Sequence, residues 1–456
     1  MRIQLPSSIK GEFFRNVFTL ISGTTLAQII SLAIYPVLSR MYTPDDFGIF
    51  ALFMSILTIT NMIATAKYEL AILMPGKDED GLNLVGLSAA ITVLVSMVLM
   101  VPVILLNRKL AAMLGNENIA FWLYLIPVST FLNGLYQSLN YWSIRNKRFR
   151  NITAANVSQS LSNSAVKLGA GALVAGPFGL IAGAIIGQLT GFLAFLLNFM
   201  RKDRAKLDWI RQSRMKSLAG EYYRFPKYNM LLGINNSFSG SLPVFVITAW
   251  FSTAVAGLYS FGLTMIFRPM NLVTTALSQV FSQRVISKVN GSQPILDDVR
   301  RLFIRMLQFS VLPFGLVAVF APSIFKVVFG PEWQDAGEYT RILIPWLFAV
   351  FLSAPFAFLP DLFKKQGTAL LIDLVKLLLR ASALFAGVYF GDIFVTLILL
   401  SGLSFAVIVY QITWYFKLAK RQSRKVKDKS EKTHEANGPG IWDRTSQETG
   451  SFPGME

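Results

Sequence analysis

Long apolar runs alternate with short polar, mostly basic connections along nearly the whole chain. The runs are continuous rather than alternating, and most exceed the length needed to cross a hydrocarbon core of about 30 Å at about 1.5 Å per helical residue. Strands of a membrane barrel would alternate apolar and polar side chains over about ten positions. The pattern therefore predicts an all-α polytopic membrane protein. Its twelve helices fall near 16–40, 46–74, 82–106, 119–143, 151–174, 178–200, 229–251, 256–280, 305–330, 338–361, 367–389 and 392–418. The first run is too long for a cleavable signal peptide and lacks a small-residue cleavage site, so it reads as helix one.

Charge alternates from one connection to the next. One set holds Arg2, Lys10 and Arg15, Lys77, the Arg145 to Arg150 cluster, the stretch from Arg201 to Lys227, Arg284, Lys288, Arg300, Arg301, Arg305, Lys364, Lys365 and the run after Lys417. The other holds only Arg40, Arg108 and Lys109, with Arg341 just beyond it. The positive-inside rule reads the first set, and with it both termini, as cytoplasmic. An even number of spans requires the same.

The basic stretch 201–228 divides six helices from six, giving lobes at 1–200 and 229–418 and a tail at 419–456 that composition reads as disordered beyond its basic start. Leu207, Trp209, Ile210 and Leu218 suit either an interfacial helix or a solvated linker. At 294–306, Ile295, Val299, Leu302 and Met306 share one helical face. The lobes resemble each other weakly: Tyr42-Thr43 and Gly48-Ile49-Phe50 align with Phe251-Ser252 and Gly257-Leu258-Tyr259 at an offset of 209. Repeats of the same orientation imply a pseudo-twofold axis along the membrane normal, and transporters often place substrate between such repeats.

Composition fits this reading. The 456 residues are 53% hydrophobic and 15% charged, with a mean hydropathy of +0.50, whereas soluble proteins are about 25% charged. There is no cysteine and a single histidine, His434 in the polar tail. Thiolate chemistry is excluded, His-based metal or triad chemistry nearly so, and no cofactor is expected. The net charge of +18 lies where topology demands it. It reads as orientation and attraction to anionic membrane lipids, not as nucleic-acid binding. No phosphate-binding loop occurs, since Gly76-Lys77 is followed by Asp78. Gly179, Gly183, Gly187 and Gly191 instead repeat every fourth residue, as a ridge for close helix packing does. The outer connections are short and hold few catalytic candidates.

Candidate chemistry lies within the spans. Six cations, Lys67, Lys167, Arg268, Lys326, Lys376 and Arg380, stand against two carboxylates, Glu69 and Asp373. A charge near the bilayer centre costs at least about 2.5–3.5 kcal/mol on the mildest scale. Pairing can neutralise two cations at most, so the remainder calls for an anion. Arg268, midway along its helix and next to Pro269, is the leading candidate for a substrate contact. Asp373, Lys376 and Arg380 share one face, with Asp373 able to pair with Lys376 and leave Arg380 over. Lys67 and Glu69 are two apart on a helix and are not expected to face each other. Snorkelling to the surface is the alternative for Lys67, Lys167 and Lys326.

Several segments together resemble the polysaccharide flippase family, the O-antigen and exopolysaccharide branch of the multidrug/oligosaccharidyl-lipid/polysaccharide exporter superfamily. They are Arg40-Met41-Tyr42-Thr43-Pro44-Asp45-Asp46-Phe47-Gly48, Lys67-Tyr68-Glu69, Asn140-Tyr141-Trp142 with Lys147-Arg148-Phe149, and Phe329-Gly330-Pro331-Glu332-Trp333 with Gly337. The resemblance implies a two-lobed, V-shaped transporter in a bacterial inner membrane, working by alternating access and not an enzyme. Its substrate would be an oligosaccharide on undecaprenyl pyrophosphate, and its partners a polysaccharide polymerase and glycosyltransferases. Arg268 matches the place of a helix-eight arginine in the lipid II branch. The first-helix arginine of that branch is missing, with Thr24 and Gln28 in its place. A multidrug antiporter of the same superfamily and a membrane glycan polymerase or ligase stay open as alternatives.

Overall fold

A computed structural model of the chain describes residues 25, 28–174 and 176–436. The first part of helix one, Arg2, Lys10, Arg15, the residues after 436 and the side chain of His434 lie outside the described residues.

Among the described residues there is no strand. The principal helices are α1 (Tyr35–Met41), α2 (Pro44–Ile63), α3 (Asp78–Met113), α4 (Leu125–Arg145), α5 (Phe149–Leu173) and α6 (Phe178–Lys202) in the N-lobe. The C-lobe holds α7 (Leu231–Trp250), α8 (Thr253–Asn290), α9 (Leu296–Phe329), α10 (Gln334–Ser353), α11 (Gln366–Phe390) and α12 (Ile393–Ala436). Seven helices, or eight with α4 and the bent segment before it, are long and apolar enough to cross a membrane by themselves. Of those outside that set, α5, α8 and α11 carry Lys167, Arg268 and Arg380.

The weak internal repeat proves to be the joint between the lobes. Thr43 caps α2, its side chain accepting from the Asp46 amide while the Asp46 carboxylate accepts from the Thr43 amide. Ser252, offset by 209, caps α8 in the same way by accepting from the Val255 amide at 3.1 Å. One turn on, Gly48 and Gly257 let the two helices cross at backbone contact. A Cβ on Gly48 would lie 1.9 Å from the Thr253 carbonyl oxygen, and one on Gly257 would lie 1.9 Å from that of Pro44. Pro44 and Thr253 are themselves offset by 209. The contact is thus reciprocal, as a twofold axis through the crossing requires.

Around this crossing the lobes share one apolar core. It unites Tyr35, Phe47 and Trp122 with Val244, Phe261 and Trp333. Trp333 stacks on Phe261 with centroids 4.0 Å apart and meets Phe47 edge-on at 5.1 Å. Its indole donates to the Ser39 carbonyl at 2.8 Å, and the Ser39 hydroxyl donates to the Phe329 carbonyl at 2.9 Å. Gly330, at φ +114, provides the turn that delivers Trp333. At the opposite, basic end two further cores form, one within each lobe. Tyr68, Trp142, Phe195 and Leu218 belong to the N-lobe core, and Phe281, Val299, Phe356 and Tyr415 to the C-lobe core. A core common to both lobes at one end and divided at the other is the packing signature of a V.

Three expectations need correction. First, the run 46–74 is not one helix. It breaks after Ile63, where Ala66 and Lys67 adopt φ +47 and +62, and resumes at Tyr68–Ala71. Second, the basic connection is not a free linker but packs on the N-lobe. Leu218 is fully buried in the N-lobe, Leu207 and Ile210 pack against the same core, and the Tyr68 hydroxyl donates to the Ala219 carbonyl at 2.9 Å. Third, α12 continues through the basic start of the tail to Ala436.

The connection is tied down by Asp203, whose fully buried carboxylate accepts from Trp142 at 3.0 Å and forms ion pairs with Arg148 and Lys206. Burial pushes this carboxyl up, but the bonds from Arg148 and Trp142 and the charges beside it win and hold it below its usual range. A lowered folded-state pKa stabilises above the unfolded value of about 3.9 and loses that contribution as pH falls through the folded value. Asp203→Ala is therefore expected to cost about 3–5 kcal/mol at neutral pH by stranding Arg148 and Lys206. In thermal unfolding of the detergent-solubilised protein, the gap to wild type should narrow below about pH 4.

Candidate functional site

Below the aromatic seal the lobes border an open cavity of about 300 Å³. Helical periodicity sets its walls. Phe47, Phe50, Met54 and Thr58 recur along one face of α2, and Ser260, Thr264 and Arg268 along one stripe of α8. Tyr35 of α1, Ser241 of α7 and Tyr259 complete a lining drawn from both lobes. Helical backbone continues through Pro269, leaving Arg268 in the middle of a helix of 38 residues.

One of the intramembrane cations, Arg268, lines this cavity, and Lys167 and Arg380 lie behind its Phe50 and Tyr259 walls. The half-buried Arg268 guanidinium lies 4.9 Å from the centroid of the Tyr35 ring, reaching across the lobe interface. Lys167 of α5 is not at the surface: it is 4% exposed, with its ammonium 4.6 Å from the Phe50 ring centroid. The glycine ridge makes room for it. A Cβ on Gly183 of α6 would come within 2.6 Å of the Lys167 side chain, and one on Gly179 would strike the Tyr42 hydroxyl, which donates to the Lys167 carbonyl at 2.6 Å. Lys167 and Arg268 lie near enough to feel each other's charge. Arg380 of α11 sits one layer behind Tyr259, 5.0 Å from the Trp346 ring centroid and within 3.4 Å of the Ser239 hydroxyl and carbonyl oxygens.

The remaining candidates are accounted for elsewhere. Lys376 pairs with Asp373 at 2.8 Å, leaving Arg380 over as their spacing allowed. Lys326 is exposed near the outer end of α9, away from the cavity lining. Lys67 and Glu69 correct the helical-wheel expectation: they form an ion pair at 3.5 Å. The left-handed turn at Ala66 and Lys67 swings both toward one side, so helical spacing does not apply. Glu69, 4% exposed, also accepts from the Thr65 hydroxyl. The pair lines a separate N-lobe pocket of about 120 Å³ with Asn61, Gln137 and Tyr141.

A cation–π contact contributes about 0.5–2 kcal/mol, less than the about 2.5–3.5 kcal/mol a charge at bilayer depth costs. The rings orient Arg268, Lys167 and Arg380 while leaving their charge uncancelled. Those rings escaped sequence reasoning, since nothing local links Tyr35 to Arg268 or Phe50 to Lys167.

The model of the family described as "Polysaccharide biosynthesis protein" matches residues 37–338. The chain belongs to that family. Its fold is that of transporters of the MOP superfamily. An inward-facing multidrug resistance MATE family transporter aligns over 89% of this chain and 94% of its own, at TM-score 0.56 and 12% identity. A mutant of the Vibrio cholerae MATE transporter VcmN covers 91% and 98%, at TM-score 0.56 and 14% identity. A Pyrococcus furiosus MOP superfamily transporter, noted for the reverse polarity of its binding pocket, covers 89% and 95%, at TM-score 0.51 and 14% identity. No curated protein matches the chain. The likeness is one of fold: a multi-pass, two-lobed membrane protein.

The Lys67–Glu69 assignment has its own test. Lys67→Met strands a buried carboxylate and should destabilise by about 1–3 kcal/mol. Adding Glu69→Gln should restore part of that loss in thermal unfolding. Two additive losses would show that the pair is not coupled.

Proposed function

We propose that the protein moves an undecaprenyl-pyrophosphate-linked oligosaccharide from the cytoplasmic to the periplasmic leaflet of a bacterial inner membrane by alternating access, for O-antigen, lipopolysaccharide or exopolysaccharide assembly. The observation that carries the reading is the polarity around the cavity: Arg268 lines it over Tyr35, with Lys167 packed behind Phe50 and Arg380 behind Tyr259. A pyrophosphate is the complement of that arrangement, able to take charge-assisted hydrogen bonds from the guanidinium. The open cavity of about 300 Å³ suits the phosphates, and the sugars occupy the divided space between the lobes. By the positive-inside rule the basic loops support a cytoplasmic side for the divided end and both termini. The chamber thus faces the side on which lipid-linked sugars are made by glycosyltransferases, and its product would go to a polymerase on the other. The basic face itself suits anionic lipid.

The fold is shared with multidrug transporters, so efflux of organic cations is the second reading. The chamber argues against it. Asp373 is committed to Lys376, and Glu69 lies in another pocket with Lys67.

In proteoliposomes carrying a fluorescent lipid-linked oligosaccharide, Arg268→Ala should lower the flipping rate about 10- to 100-fold, the loss of one charged hydrogen bond of about 1.5–3 kcal/mol. Asp373→Asn/Lys376→Met, which removes a matched pair, should stay near wild type. Unchanged flipping in Arg268→Ala, or efflux of organic cations in place of flipping, would overturn the reading.

A further inference from the structure

Each lobe carries an apolar groove, toward the outer ends of its helices in the N-lobe and toward the basic end in the C-lobe. In the N-lobe, α2, α3 and α4, with Phe245 of α7, surround about 380 Å³ and contribute no charged side chain. In the C-lobe, α8, α9 and α10 surround about 650 Å³, and one cation, Arg305, stands among the lining residues. The two grooves differ in size, in charge and in depth along their helices. Arg284, Lys288 and Arg301 are matched to Asp298, whereas Arg300 and Arg305 are exposed and form no ion pair among the described residues; of these two only Arg305 lines the groove.

Helix α8 is the wall common to groove and chamber. Its Thr264 and Arg268 face the chamber, and Ile266, Met270, Val273 and Leu277 face the groove. At about 1.5 Å per residue, Arg305 lies about 36 Å from the outer end of α9, and Arg268 about 22 Å from that of α8. Arg305 is thus at headgroup level near the basic end, with Arg268 deeper.

We propose that this groove seats the polyprenyl chain of the lipid-linked substrate, with Arg305 receiving its phosphate before the headgroup passes around α8 to Arg268. The inference rests on the function proposed above and adds where the chain lies. A long hydrocarbon with a phosphate at one end matches an apolar trough with one unmatched guanidinium at its mouth. The uncharged N-lobe groove offers the chain alone a place and the phosphate none.

The test uses the full-length protein in phosphatidylethanolamine/phosphatidylglycerol vesicles containing a long-chain polyprenyl phosphate. A photoreactive benzophenone residue replaces the half-exposed Val273 in one protein and Leu99 of the N-lobe groove in another. Mass spectrometry then identifies the lipid adducts. The expected result is a polyprenyl phosphate adduct at Val273 that exceeds the Leu99 adduct about tenfold and falls about tenfold in Arg305→Gln, as loss of one charged contact implies. Adducts of bulk phospholipid only, equal yields at both positions, or indifference to Arg305→Gln would overturn it. A photoreactive residue at Thr264, offered a polyprenyl pyrophosphate, separates the two proposals. Adducts at Thr264 with none at Val273 overturn the groove alone, whereas none at either position overturns the pyrophosphate-lipid reading as well.

Discussion

An ammonium or guanidinium held at bilayer depth without a carboxylate is the constraint on which the rest of this structure depends. Lys167, Arg268 and Arg380 satisfy it in one way, each resting against the face of an aromatic ring. The ring fixes the cation's position and recovers part of the lost hydration, but leaves the charge. A carboxylate would stabilise the empty state more and would also cancel the field an anion must meet. Where the chain does pair charges, at Lys67–Glu69 and Asp373–Lys376, it does so outside the cavity lining.

The chamber's two walls belong to different lobes. The reciprocal crossing of α2 and α8 at Gly48 and Gly257 brings backbone to backbone, with the seal built by Trp333, Phe47 and Phe261 around it. The opposite end has separate cores, so each lobe is internally packed and neither relies on the other there. Arg268 over Tyr35 spans the interface itself. An anion drawn to Arg268 and Lys167 would bind the C-lobe and the N-lobe together, which couples occupancy to lobe geometry.

The fold was largely legible because helix periodicity and charge alternation are local signals. The repeat at offset 209 was legible too, although only the coordinates showed that its residues meet across an axis. The motifs carrying the family resemblance turn out to be architectural. Tyr42, Thr43 and Trp333 build the joint, and Trp142 and Arg148 clamp Asp203. The site was legible only as a surplus of cations. Which of them lie around the chamber depends on distant contacts, as with Lys167 lying over Phe50 in the space that Gly183 leaves open. The Lys67–Glu69 pair was misread because two residues in left-handed backbone reset the direction of the chain, and no helical rule anticipates that.

The most direct measurement compares two ligands of opposite charge on the detergent-solubilised protein by isothermal titration calorimetry: a short-chain prenyl diphosphate and the organic cation tetraphenylphosphonium. Binding of the diphosphate, weakened when Lys167 and Arg268 are both changed to Met, with no uptake of the cation, is the expected result. Binding of the cation, together with a diphosphate that does not bind or binds equally well to the double mutant, would contradict an anion-selective chamber.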